Sequence, residues 1–271
     1  MMDRRLTPSN GRVAATSLRR QVKADHFTDG TAQSIGQPVV DLCAAPDGLR
    51  DRQLLLGASV TVFENREGWS FVQATDGYVG YVRSDALLPQ ATPSHFVGTS
   101  ATHAYVAEDF KSADIMALPF GARVTVLDER RKFYETNVGF VPKAHLRPLD
   151  RPFTDPATVA QMHFGVPYLW GGNATCGIDC SGLVAAGLTA CGIACPADSD
   201  MQRDGLGAAF TGDYQRGDLL FWKGHVGMMV DADTMIHANA HHMATAYEPI
   251  GRAILRIKAQ GEGDVIAQRR L

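Results

Sequence analysis

The chain has 271 residues, of which 45% are hydrophobic and 20% charged. That is enough apolar material for about two globular domains with sizeable cores. A formal net charge of −3 gives no electrostatic reason to expect a nucleic-acid or membrane partner. Within the first twenty residues no apolar run longer than Val13, Ala14 and Ala15 follows Arg4 and Arg5. The uncharged, largely apolar stretch 182–197 is glycine-broken and shorter than the roughly 20 apolar residues a spanning helix needs. The expectation is a cytoplasmic protein. Five cysteines, an odd number with four of them clustered, do not form the pattern of a secreted disulfide scaffold.

Residues 1–35 read as an N-terminal extension. Beyond them two segments repeat each other. Gly57-Ala58-Ser59-Val60-Thr61-Val62 is echoed by Gly121-Ala122-Arg123-Val124-Thr125-Val126, and Gly80-Tyr81-Val82 with Leu88 by Gly139-Phe140-Val141 with Leu146. Both copies alternate β-branched and polar residues between Gly- and Asp-rich turns, as strands do. Two small β units, 36–91 and 92–150, are expected. The stretch Glu67-Gly68-Trp69 followed by Asp76-Gly77-Tyr78-Val79-Gly80-Tyr81-Val82 resembles bacterial SH3-like barrels. A generic barrel with a core tryptophan is the alternative.

Pro148, Pro152 and Pro156 mark a stiff connector into a domain over 151–271. Asp155 can cap a helix with Pro156 at its first position. Val159, Met162 and His163 then keep helical spacing until Gly165 and Pro167. Further on, Leu183, Val184 and Leu188 form an apolar stripe, which places Cys180 at or near a helix N-terminus. A free thiol, with a pKa near ~8.5, is mostly protonated at neutral pH; a helix dipole and a neighbouring imidazolium would favour the reactive thiolate.

A base must come from elsewhere in the sequence. Arg216 to Trp222 and Gly224 to Val230 read as a pair of strands, and Thr234 to His237 as a return strand after Asp231-Ala232-Asp233. A hairpin centred on Asp231 would set His225 directly opposite His237, about 4.5–5.5 Å apart. Cys180 as nucleophile, His225 as base and His237 as its orienter then satisfy the needs of a catalytic triad, with Asn239 and His241 as rival orienters. A zinc site from Cys176, Cys180, Cys191 and Cys195 has permitted spacing, but it would commit the Cys180 sulfur to metal. No metal and no cofactor is expected. For Cys191 and Cys195 the simpler account is packing at a helix C-terminus.

Tyr168-x-Trp170-Gly171-Gly172, Asp179-Cys180-Ser181-Gly182, Arg216-Gly217-Asp218-Leu219, Gly224-His225-Val226-Gly227 and Ile236-His237-Ala238, in this order, resemble the NlpC-type cell-wall cysteine peptidases. With two SH3-like units in front, the chain is similar to the γ-D-glutamyl-L-diamino acid endopeptidases among them. The resemblance implies an α+β fold: a papain-like peptidase domain of helix plus antiparallel sheet after two small SH3-like barrels. It implies attack by Cys180 on the γ-glutamyl carbonyl of a murein stem peptide, and an oxyanion held by the Cys180 backbone N–H with Tyr168 nearby. Asp179, Ser181 and Ser199 would line the pocket. Tyr78 and an acid, Asp51 or else Asp41, would hold the free amine of an N-terminal L-Ala. The expected role is wall recycling. A catalytically silent wall-peptide-binding module, or an amidase or acyltransferase on the same thiol, are the competing readings.

Overall fold

The computed structural model describes residues 2–271, which divide into two units, one ending at Leu149 and the other beginning at Asp150. In the first unit the strands Thr31–Ile35, Val39–Cys43, Arg50–Leu55, Ser59–Arg66, Trp69–Ala74, Val79–Arg83 and Leu87–Pro89 form one seven-stranded antiparallel sheet. A second set of strands between His95 and Pro148 forms a three-stranded and a five-stranded sheet.

The sequence repeat is a structural repeat. Cys43 pairs with Tyr81 in the first set and Tyr105 with Phe140 in the second. In each, a glycine lets the strand approach its neighbour's carbonyl: an added Cβ would lie 2.8 Å from the Cys43 oxygen at Gly80 and 2.7 Å from the Tyr105 oxygen at Gly139. Gly57 and Gly121 take left-handed backbone, φ +76° and +82°, at matching turns. Leu56, at the first of these corners, packs into the core of the second set with Val97, Leu118 and Val141.

The extension drawn at 1–35 needs correction. Thr31–Ile35 is an integral strand, bonded on both sides. Ahead of it, Val13–Ala15 pairs in parallel with His26–Thr28, and Val13 packs on Phe71 and Val79. Its apolar residues are anchored by burial that a tail would not achieve.

The second unit contains helices α1 (Pro156–Gln161), α2 (Cys180–Ala190), α3 (Ser199–Gly205) and α4 (Ile250–Ala259). Its sheet has β1 (Ala208–Ala209), β2 (Leu219–Trp222), β3 (His225–Met229), β4 (Thr234–Asn239), β5 (Ala244–Pro249) and β6 (Ala267–Arg270). They are antiparallel in the order β1-β6-β2-β3-β4-β5. Alternation along the strands divides the core. Leu219, Phe221, Val226, Met228, Ile236 and Ala238 meet α1 and α2 through Ala157, Leu183, Val184 and Leu188. Leu220, Trp222, Met229 and Met235 meet α4 through Ile250, Ala253 and Ile257. Each fully buried Leu or Val in such a sandwich contributes roughly 1.5–3 kcal/mol. Gly187 permits the close crossing of the first two helices, since a Cβ there would lie 2.9 Å from the Pro156 carbonyl oxygen. Among the described residues no helix is long and apolar enough to cross a membrane.

Candidate active site

Cys180 is the first residue of α2 and His225 the first of β3, so both stand at element ends. The start of α2 is held by Asp179. Its Oδ1 accepts the Gly182 N–H at 2.7 Å and the Ser181 hydroxyl at 2.9 Å, and its Oδ2 accepts the Gly171 N–H at 2.9 Å. This is an N-cap that also ties the Tyr168–Gly172 loop to the helix. The Gly172 carbonyl adds a bond from the Asp179 N–H at 3.0 Å. Behind the turn, Gln202 of α3 donates to the Ser181 carbonyl at 2.9 Å. Ser199 lies one turn earlier on the same helix, half-buried.

The sulfur faces the beginning of β3. The N–H of Val226, next to His225, favours its thiolate, as do the N–H groups of Ser181 and of Cys180 itself. The latter two belong to the first turn of α2, where no intrahelical acceptor exists for them. They are therefore the donors available to a developing oxyanion. Tyr168 is half-buried beside Cys180, bridged to Ile178, and its phenol is pushed upward by burial and then by the Cys180 and Asp179 charges.

His225 Nε2 lies 2.9 Å from His237 Nδ1, with ring centroids 5.1 Å apart. The pair forms, but not by the expected register. Met228 faces Ile236 and Met229 faces Met235, so the turn is centred on Ala232 rather than Asp231. Continued to the strand end, that register sets His225 against Asn239 and makes His237 its diagonal neighbour. A two-residue offset preserves the face, because side chains alternate with period two. Of the rival orienters, Asn239 donates to the His237 carbonyl and accepts from His242, while His241 is exposed and meets Gln260.

Two participants went unnoticed in the sequence. His237 Nε2 lies 3.1 Å from Glu248 Oε2, and Arg256 grips both oxygens of Glu248, at 2.9 and 2.7 Å. His237 faces Ala246 across β4 and β5, which makes Glu248 the next residue on that face. The β4–β5 register was the signal that could have found it. Arg256, eight residues on and in another element, left no local signature.

The thiolate expectation is reversed at rest. Burial pushes the Cys180 thiol up to about 12, reinforced by the Asp179 charge and only partly offset by the three N–H groups. Burial pulls His225 down to about 3, with the charges of His237 and Arg256 adding to it. The helix terminus is outweighed by desolvation. The resting pair is a neutral thiol and a neutral imidazole, and the charges arise only when the proton moves.

The four clustered cysteines do not gather into a ligand set among the described residues. Cys176 is exposed, Cys191 caps the end of α2, and Cys195 donates to the Pro196 carbonyl. His237, His242 and Glu248 do bring ligand atoms within 4.8 Å of one another. There, however, the Arg256 guanidinium already neutralises the carboxylate. In the first unit Tyr78 is buried beneath Arg52, 5.5 Å from its ring centroid. Asp51 is paired with Arg4 at 2.9 Å, and Asp41 with Arg50 and Gln53.

A buried thiol at a helix start that faces the strand bearing a histidine pair, in an α+β domain that follows a β-rich unit in the sequence, has the architecture of a thiol hydrolase. The comparisons show which domains the chain carries. Residues 165–254 match the NlpC/P60 family, and residues 42–87 match the bacterial dipeptidyl-peptidase SH3 domain. The chain thus carries an NlpC/P60 domain of helices and antiparallel sheet, preceded by SH3-like structure. It is 29% identical to a γ-D-glutamyl-L-lysine dipeptidyl-peptidase of Bacillus cereus over 226 residues, covering 69% of this chain and 67% of that protein. It is 25% identical to dipeptidyl-peptidase 6 of Lysinibacillus sphaericus over 214 residues, covering 69% and 79%. A crystal structure of an NlpC/P60 family protein from Bacillus cereus shares the fold, with a TM-score of 0.74 at 22% identity over 89% of this chain and 99% of that one.

Proposed function

We propose that this chain is a cysteine endopeptidase that hydrolyses the γ-D-glutamyl–diamino acid bond of murein stem peptides carrying a free N-terminal L-Ala. The observation that carries the reading is the 2.9 Å contact of His225 with His237 at the strand start that the Cys180 sulfur faces. Cys180 attacks the γ-glutamyl carbonyl as His225 takes the thiol proton. The Cys180 and Ser181 N–H groups receive the oxyanion, with Tyr168 beside it. His225 returns the proton to the departing diamino-acid nitrogen. Water, deprotonated by His225, then hydrolyses the thioester. Ser199 lines the pocket together with Ser181 and Asp179, the last two acting mainly by shaping the loop. The substrate class is supported by the Bacillus cereus relative, whose name specifies a γ-D-glutamyl-L-lysine bond.

Amine recognition is assigned to Asp51, where the substrate ammonium would displace Arg4 from the carboxylate, and to Tyr78, which would have to be uncovered by movement of Arg52; Asp41 is the alternative acid. In intact wall the L-Ala nitrogen is acylated, so a need for a free amine selects turnover fragments. That selection underlies a role in recycling and a cytoplasmic site of action. The test is product analysis with L-Ala-γ-D-Glu-diaminopimelate and its N-acetylated form. Wild type is expected to release L-Ala-D-Glu from the free peptide only, and Cys180→Ala from neither. No release by wild type would refute the substrate class, and equal turnover of the acetylated peptide would refute amine recognition.

A further inference from the structure

The histidine pair ends on a carboxylate that has only one way to bond. Arg256 Nε donates to Glu248 Oε1 and Arg256 Nη2 to Oε2, and His237 Nε2 meets the same Oε2 at 3.1 Å. Burial alone would raise this carboxyl, but the bonds from Arg256 and His237 outweigh it and hold it below its ordinary range. It is ionised at neutral pH, and an ionised carboxylate only accepts.

Everything upstream follows by elimination. His237 must carry its proton on Nε2 to donate to Glu248. Neutral His237 then has a bare Nδ1, which must accept, and its partner 2.9 Å away is His225 Nε2. His225 therefore carries its proton on Nε2. Its lone pair is left on Nδ1, the one ring nitrogen free to receive the thiol proton. Both rings are neutral at rest, since burial lowers each of them.

Resting on the peptidase reading above, we propose that Glu248, clamped by Arg256, is a positioning residue that sets the tautomers of His237 and His225 in series and stabilises the imidazolium formed when Cys180 attacks. The charged and titratable neighbours are few. His237 is faced by His225 from β3, Glu248 from β5, Arg256 from α4 and His242 from the turn after β4. His225 is influenced by His237, Arg256 and Glu248, and the Cys180 sulfur at the start of α2 meets the N–H of the next residue, Val226. Glu248 supplies the negative charge of the set, and Arg256 fixes its rotamer.

Two measurements on the full chain test this. Nitrogen-15 NMR of labelled histidine near neutral pH is expected to show both His225 and His237 as Nε2–H tautomers in wild type. Either ring found as Nδ1–H overturns the proposal, with or without turnover. Glu248→Gln keeps the side-chain length and removes the charge. Its kcat is expected to fall about tenfold or more with KM within about twofold, and the acid limb of kcat/KM to move to lower pH, because removing a nearby anion lowers the histidine pKa values. Glu248→Asp should recover part of the loss. An unchanged kcat and pH profile in Glu248→Gln overturns the proposal. Should the unpaired Arg256 prevent folding, Glu248→Gln with Arg256→Gln removes both charges and is expected to show the same loss of kcat. Iodoacetamide alkylation of Cys180 follows the same limb without any substrate, so a wrong substrate class leaves this test standing.

Discussion

Gly182, two residues after the nucleophile, is where a single methyl group should separate site geometry from general stability. A Cβ at this position would lie 2.4 Å from the Gly172 carbonyl oxygen, 2.5 Å from Asn173 Oδ1 and 3.2 Å from Asp179 Oδ1. The Asn173 side chain can rotate away. The Gly172 oxygen cannot, because it accepts the Asp179 N–H, and Gly172 is itself packed against the Gly177 backbone. In Gly182→Ala the first turn of α2 must therefore retreat by about 0.6 Å to regain the 3.0 Å that real Cβ contacts respect. Overpacking of this kind costs about 1–3 kcal/mol. A displacement approaching 1 Å at a nucleophile costs on the order of 10²-fold. A loss of at least tenfold in kcat/KM on the stem peptide is expected, with a Tm lower by several degrees in calorimetry. Gly251→Ala is the control: it lies in the first turn of α4 with nothing within 4 Å, and should gain about 0.5–1 kcal/mol from helix propensity. Gly182→Ala with wild-type Tm and kcat/KM would refute the packing argument.

Two further outcomes follow from the same site. Asp179→Ala removes the N-cap of α2 and leaves three donors without their acceptor, so a stability loss of at least about 1–2 kcal/mol is expected in urea unfolding; an unchanged midpoint would mean that Asp179 serves the substrate alone. His163, His225 and His237 are all held neutral by burial. Their folded pKa values lie below the unfolded value near ~6.5, so the stability they confer is complete above that pH and declines as pH falls through it toward the folded values, at about 1 kcal/mol per pH unit for each. Tm measured across that range should fall with acidity, and a flat profile would contradict the neutral assignment.

Much of the site could be read from local chemistry. Asp155 caps α1 at the Ala157 N–H with Pro156 in its first turn, as the sequence pattern required. The stripe of Leu183, Val184 and Leu188 is buried, which placed Cys180 at the helix start. The His225–His237 contact survived an error in register because an offset of two residues keeps the face. What could not be read depends on tertiary environment. The pKa reversal at Cys180 comes from burial, which no spacing reveals. Glu248 and Arg256 reach the histidines across the sheet and from a later helix. Thr31–Ile35 carries only Ile35 as a large apolar residue, so its own sequence does not mark it as a strand, although the neighbouring strands claim it by backbone bonding.

The central claim is that Cys180 attacks the γ-glutamyl carbonyl with His225 as base. Acid quench during turnover of L-Ala-γ-D-Glu-diaminopimelate, followed by peptide mass spectrometry, tests it most directly. An L-Ala-D-γ-glutamyl thioester should appear on the peptide containing Cys180 in wild type and be absent from His225→Ala. Turnover that persists in Cys180→Ala, or an acyl group found on Cys176 or Cys191 instead, would contradict the account.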